Sequence, residues 1–164
     1  MNVQTVDVNG MSISIPEYYV KVESSPEDPE NSVPFMTESP NARCLVLIYP
    51  ITPDKRIPTN QWRMLEGIRM YLTESQGVIE IGQGVNSVYS IVKTRLNSGV
   101  IQYSLTFQKI YSETDTLTVQ AFFSEIGTTG LRESIVYEYC RREKIVGTDE
   151  DPFFGWSRDP YDES

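Results

Sequence analysis

Residues 77–126 read GVIEIGQGVNSVYSIVKTRLNSGVIQYSLTFQKIYSETDTLTVQAFFSEI. This stretch decides the fold. It holds four strand-like segments in a row, at 78–84, 87–96, 99–111 and 115–126, with short turns between them and no proline. The clearest is 100–111. There Ile101, Tyr103, Leu105 and Phe107 alternate with Gln102, Ser104, Thr106 and Gln108. A period of two places the first set on one face of a strand and the second on the other. In the last segment Leu117, Val119, Ala121 and Phe123 share one face, and Thr116, Thr118, Gln120 and Phe122 the other. Asn97-Ser98-Gly99 supplies a tight turn, with Gly99 where a positive φ is most needed. The segment reads as an antiparallel meander. One face is Leu, Phe and Tyr; the other is Thr, Ser and Gln, facing water or lining a polar groove.

Upstream, residues 3–15 read as a hairpin. Asn9-Gly10 fits a two-residue turn in which both positions take positive φ. The implied register sets Val8 against Met11, Val6 against Ile13 and Gln4 against Ile15, with Val6, Val8, Met11 and Ile13 on a buried face. Pro16 stops the second arm, and Tyr18-Tyr19-Val20 follows as an anchor. Residues 23–34 form an acidic, proline-rich surface loop. A second hairpin pairs 34–38 with 42–51 around Ser39-Pro40-Asn41. Cys44 to Tyr49 is apolar on both faces, as in a strand covered on both sides. Pro50 to Pro58 reads as a stiff exposed loop.

Thr59 or Asn60 can cap a helix running to about Ser75. Trp62, Leu65, Ile68 and Leu72 make its apolar stripe, widened by Met64 and Tyr71. A second helix is expected over 130–144, with Leu131, Ile135 and Tyr139 at i, i+4 spacing, flanked by Val136 and Cys140. Arg141, Arg142 and Lys144 fall in its last turns, where cations suit the helix dipole. The expected fold class is α+β: a central antiparallel sheet built from two hairpins and a four-strand meander, with two helices, about 59–75 and 130–144, packed against it. Residues 1–147 read as a single domain. Residues 148–164 read as an acidic aromatic tail or linker that could lead to a further domain.

Composition narrows function more by exclusion than by motif. The chain has 164 residues and a formal charge of −9, with no histidine. An acidic domain repels phosphate backbones and anionic lipid surfaces, so neither nucleic acid nor membrane is an expected partner. The absence of histidine removes Ser-His and Cys-His nucleophile pairs from the chain. Met1 to Gly10 has neither a basic start nor an apolar signal segment, so a cytoplasmic location is expected. Cys44 and Cys140 read as buried reduced thiols.

No catalytic, cofactor or metal site is assigned. Carboxylates such as Glu80, Glu125, Glu133 and Glu138 are the only catalytic chemistry worth testing, and they show no recognisable spacing. Gly82-Gln83-Gly84 lies between strands and opens no helix, so it fails the context of a phosphate loop. Asp149-Glu150-Asp151 lacks the ligand pattern of a calcium loop. The candidate partner surface is the polar face of the meander, Gln102, Ser104, Thr106, Gln108, Thr118 and Gln120, together with Phe153, Phe154 and Trp156 of the tail. A protein partner is expected, and a homodimer stays open.

The order hairpin, hairpin, helix, meander, helix, with the early strand ending Ile15-Pro16 before Tyr18-Tyr19, resembles the PsbP/Mog-like fold group over residues 3–145. Its members commonly open with an apolar strand pair ending in Pro and then an aromatic residue, as at Ile13 to Tyr19. The chain is also similar to bacterial domains of unknown function of Bacteroides type. The resemblance implies a central antiparallel sheet with helices against it. It also implies a binding or assembly role, since members include photosystem II extrinsic subunits, a regulator of a nuclear transport GTPase and Eag-type secretion chaperones. It carries over no functional residue. Three roles follow as expectations. The first is a non-enzymatic protein-binding or assembly domain. The second is an Eag-like chaperone or immunity protein. The third is a small-molecule-binding domain or carboxylate-dependent enzyme using the polar face of the meander.

Overall fold

A computed structural model describes residues 2–52, 60–127 and 131–143, with side chains omitted at 131–133. The described elements are β1 (Val3–Val8), β2 (Met11–Pro16), β3 (Val20–Lys21), β4 (Val33–Ser39), β5 (Ala42–Ile51), α1 (Gln61–Arg69), β6 (Gln76–Gly84), β7 (Ser87–Arg95), β8 (Ile101–Ile110), β9 (Thr116–Glu125) and α2 (Leu131–Arg142). The architecture is α+β, dominated by one seven-stranded sheet of order β3-β4-β5-β9-β8-β7-β6. Every neighbouring pair in it is antiparallel. The meander is intact, and β9 then crosses to pair with β5.

The first hairpin keeps the register implied by its sequence, from Val8 opposite Met11 to Gln4 opposite Ile15. Asn9 (φ 53°) and Gly10 (φ 78°) take the left-handed conformations that match the twist of the flanking strands. Its place in the fold differs from expectation. β1 and β2 form a separate two-stranded sheet instead of joining the central one. They lie across it, packing Val6, Val8, Met11 and Ile15 on Phe35, Cys44, Val46, Ile48, Leu117, Val119 and Ala121. Leu105, Phe107 and Phe123 pack at the margin of the same core. The apolar face of the meander is therefore covered by the hairpin, where two helices had been expected. Burial of each large apolar side chain stabilises the fold by roughly 1.5–3 kcal/mol. Tyr19 closes one side of this core, and its hydroxyl donates to Cys44 Sγ at 3.7 Å. Burial raises the pKa of both the Tyr19 phenol and the Cys44 thiol.

α1 packs on the opposite face, at the far edge. Asn60 caps it, accepting from the backbone N–H groups of Trp62 and Arg63. Leu65 is buried against Val78 and Ile81, with Met64, Ile68 and Leu72 around them. The helix is shorter than its stripe implied, and Trp62, Met70 and Tyr71 are exposed. A bulge between Val78 and Glu80 sets the docking. Strict alternation would put Val78 and Ile81 on opposite faces. One extra residue brings both under α1.

On the other face of β6, Gly82 lies opposite Tyr89, and a Cβ there would run into the Tyr89 ring. Tyr89 in turn donates to Glu80 Oε1 at 2.5 Å. Gly82→Val should displace the ring and cost about 1–2 kcal/mol by overpacking. In a Tyr89→Ala background the same change should cost little. Urea unfolding of the four proteins in this cycle reads the difference; strictly additive losses would contradict it.

Candidate functional site

Directly paired residues of antiparallel strands point to the same face. The register therefore assembles one surface from β5, β9, β8 and β7, on the side away from the hairpin. Tyr49, Thr118, Gln108 and Val88 form one row across the four strands. Leu47, Gln120, Thr106 and Ser90 form the next, and Leu45, Phe122, Ser104 and Val92 the third. Ile51, Thr116 and Ile110 continue the face at one end; Arg43, Ser124, Gln102 and Thr94 continue it at the other, where Arg43 is ion-paired with Glu38 of β4 at 2.8 Å. All six meander residues named from the sequence lie on this surface. Arg43, at that end, is the one charged residue among the positions just named. The reverse face carries more charge, with Glu80, Lys93, Arg95, Lys109 and Glu125 in register there.

The surface is more enclosed than a solvated strand face. Gln102, Ser104, Thr106, Gln108 and Gln120 are half-buried. Ser90, Thr116 and Thr118 are buried, the two threonines at 0% and 2% exposure. Some of the polar groups satisfy one another. Gln102 Nε2 donates to Ser124 Oγ at 3.4 Å, and Ser104 Oγ donates to the Val92 carbonyl at 3.3 Å. Burial raises the pKa of the Tyr49 phenol, which keeps it neutral well into alkaline solution. Thr116 Oγ1 and Thr118 Oγ1 are enclosed and have no hydrogen-bond partner among the described residues. A buried hydroxyl left unpaired costs about 1–3 kcal/mol. Two of them, two residues apart on one strand face, are the most unusual polar feature of this sheet.

The other sequence candidates are not drawn together. Glu80 lies on the edge strand and Glu125 at the end of β9, with β8 and β7 between those strands. Glu138 is exposed on α2. Gly82-Gln83-Gly84 belongs to a strand that ends in the two-residue turn Val85-Asn86. Among the described residues no three His, Cys, Asp or Glu side chains converge as metal ligands, and no helix is long and apolar enough to cross a membrane. Cys44 and Cys140 are free thiols, the first buried and the second half-buried. Phe153, Phe154 and Trp156, the 53–59 loop and Asp149-Glu150-Asp151 lie outside the described residues.

Three features escaped the sequence reading. Tyr49 and Ser90 join the polar face only through strand pairing, since their own strands show no marked polar alternation. The apolar stripe of α2, expected to pack on the sheet, leaves Ile135, Val136 and Tyr139 exposed. Ser134, Ile135, Glu138, Tyr139 and Arg142 line a shallow concavity there.

No protein-family model matches the chain, and no curated protein is similar enough to count as a relative.

Replacing either orphan hydroxyl with a methyl group removes its desolvation cost while nearly preserving shape. Thr116→Val and Thr118→Val should each raise unfolding free energy by about 1 kcal/mol in urea titrations. A loss of similar size in both would show that the hydroxyls are already paired.

Proposed function

We propose that this chain is a non-enzymatic binding domain and that the face of β5, β9, β8 and β7 that is free of charge except at Arg43 is its binding surface. The observation that supports it is the separation of charge between the two sides of one sheet. In an acidic chain with 23% charged residues, that face holds one charge, Arg43, which lies at its far end and is ion-paired with Glu38. A face turned permanently to water gains nothing from excluding charge. A face that is desolvated when a partner arrives does, because burying an unpaired charge is costly. Carboxylate catalysis is the weaker alternative, since Glu80 and Glu125 lie on the other face and Glu38 is ion-paired with Arg43.

A protein-assembly role, including an Eag-like chaperone or immunity role, draws on a second observation. Three large apolar side chains, Ile135, Val136 and Tyr139, are exposed on a single helix. Exposed apolar clusters of this kind commonly mark protein contacts.

Photo-crosslinking tests the protein form of this proposal. A benzophenone amino acid at Gln108 or Thr106, on the polar face, is compared with one at Ser12 or Thr5, on the outer side of the hairpin. A protein partner on the sheet face should give discrete adducts only from the first pair. Equal adducts from both pairs would remove the face as a specific protein surface.

A further inference from the structure

Resting on the assembly role proposed above for α2, we infer that this helix pairs with α2 of a second copy of the chain, antiparallel, about a two-fold axis beside Tyr137 and Glu138. Among the described residues, no residue of α2 belongs to either hydrophobic core. Ile135, Val136 and Tyr139 are 63%, 42% and 61% exposed on it. A helix of 12 residues is marginal in water on its own hydrogen bonds and depends on packing one face.

The register of the helix says what fits that face. Positions 132, 136, 139 and 143 recur at helical spacing and share one stripe, which reads Arg, Val, Tyr, Glu. The Glu143 N–H donates to the Tyr139 carbonyl at 3.1 Å, which keeps position 143 on the last turn. Laid antiparallel on itself, the stripe sets Val136 against Tyr139 of the second copy, and position 132, an arginine, against Glu143. The two-fold axis repeats both contacts. Ile135 flanks this apolar centre, within reach of the Arg142 stem of the second copy. A parallel pair would instead set arginine on arginine and glutamate on glutamate, which is repulsive. Net charge points the same way. The chain carries −9, so most of its surface repels a copy of itself. Residues 131–143 hold three arginines and three glutamates and are neutral.

Sedimentation velocity of the full chain, from micromolar to millimolar concentration, tests the pairing. One helix pair is smaller than a standard interface, so the dimer should be reversible and should form in the upper part of that range. Val136→Asp and Tyr139→Asp should each weaken dimerisation tenfold or more. Urea unfolding of the monomer should be unchanged in both, because neither residue belongs to a core. Arg132→Glu and Glu143→Arg should each weaken it at least threefold. Both reversals suit the helix dipole better than the natural residues do, so a frayed helix cannot account for the loss. Combined in one chain they should restore the dimer, and a mixture of the two single variants should give a heterodimer. A chain that stays monomeric at millimolar concentration would overturn the inference. So would a dimer indifferent to all four changes. A benzophenone amino acid at Tyr139 then separates the pairing from the assembly role beneath it. A monomer with discrete adducts to another protein leaves α2 a protein surface and removes the second copy as its occupant. A monomer with none removes both.

Discussion

One contact organises this molecule: the closure of a single sheet face by the first hairpin. β5, β9 and β8 are the inner strands of a seven-stranded sheet, and each carries large apolar side chains on one side. Val6, Val8, Met11 and Ile15 lie across them and exclude water. The hairpin can do so because Asn9-Gly10 turns the chain in two residues, placing four apolar side chains on one side of a short ribbon. A two-stranded ribbon alone is marginal in water. Here it is stable because it is one layer of a core, and the sheet depends on it in return.

Closure by a hairpin has a consequence for the opposite face. α1 is short and docks at the β6 edge, where the bulge at Ile79 delivers both Val78 and Ile81 to Leu65. It leaves the middle of the sheet to Thr, Gln, Ser and Tyr side chains. The resulting domain has a dry apolar side, a charged margin and a polar side whose charges are held off at the Arg43–Glu38 end, with two unpaired hydroxyls. Native cores rarely tolerate such groups without a use or a hidden partner.

Much of this was legible in the sequence, for definite reasons. Period-two alternation from Ile101 to Gln108 fixes which residues share a face, and the Asn-Gly turn fixes the first hairpin's register to the residue. Asn60 announces the start of α1. The layer covering each face was not legible. Hairpin residues Val6 to Ile15 and the stripe of α1 are both amphipathic, and amphipathicity says that a face is buried without saying against what. The bulge is also invisible, because Val78-Ile79-Glu80-Ile81 reads as unbroken strand. The polar face of the meander could be listed from alternation alone. The contributions of Tyr49 and Ser90 could not, because they depend on strand pairing across the sheet. α2 shows the converse failure, since Ile135 and Tyr139 have the spacing of a packed stripe and are nonetheless exposed.

The division of labour between the two faces can be tested by two consecutive residues. Ala121 points under the hairpin and Gln120 points to the polar side, in the same central strand. Lysine at each position, followed by urea unfolding, places the same charge on either side of one backbone. Ala121→Lys should abolish cooperative folding, because the ammonium would be buried in an apolar core. Gln120→Lys should unfold cooperatively with a loss of about 1 kcal/mol, typical of a partly exposed site. Equal losses at the two positions would contradict the account, since both faces would then be core.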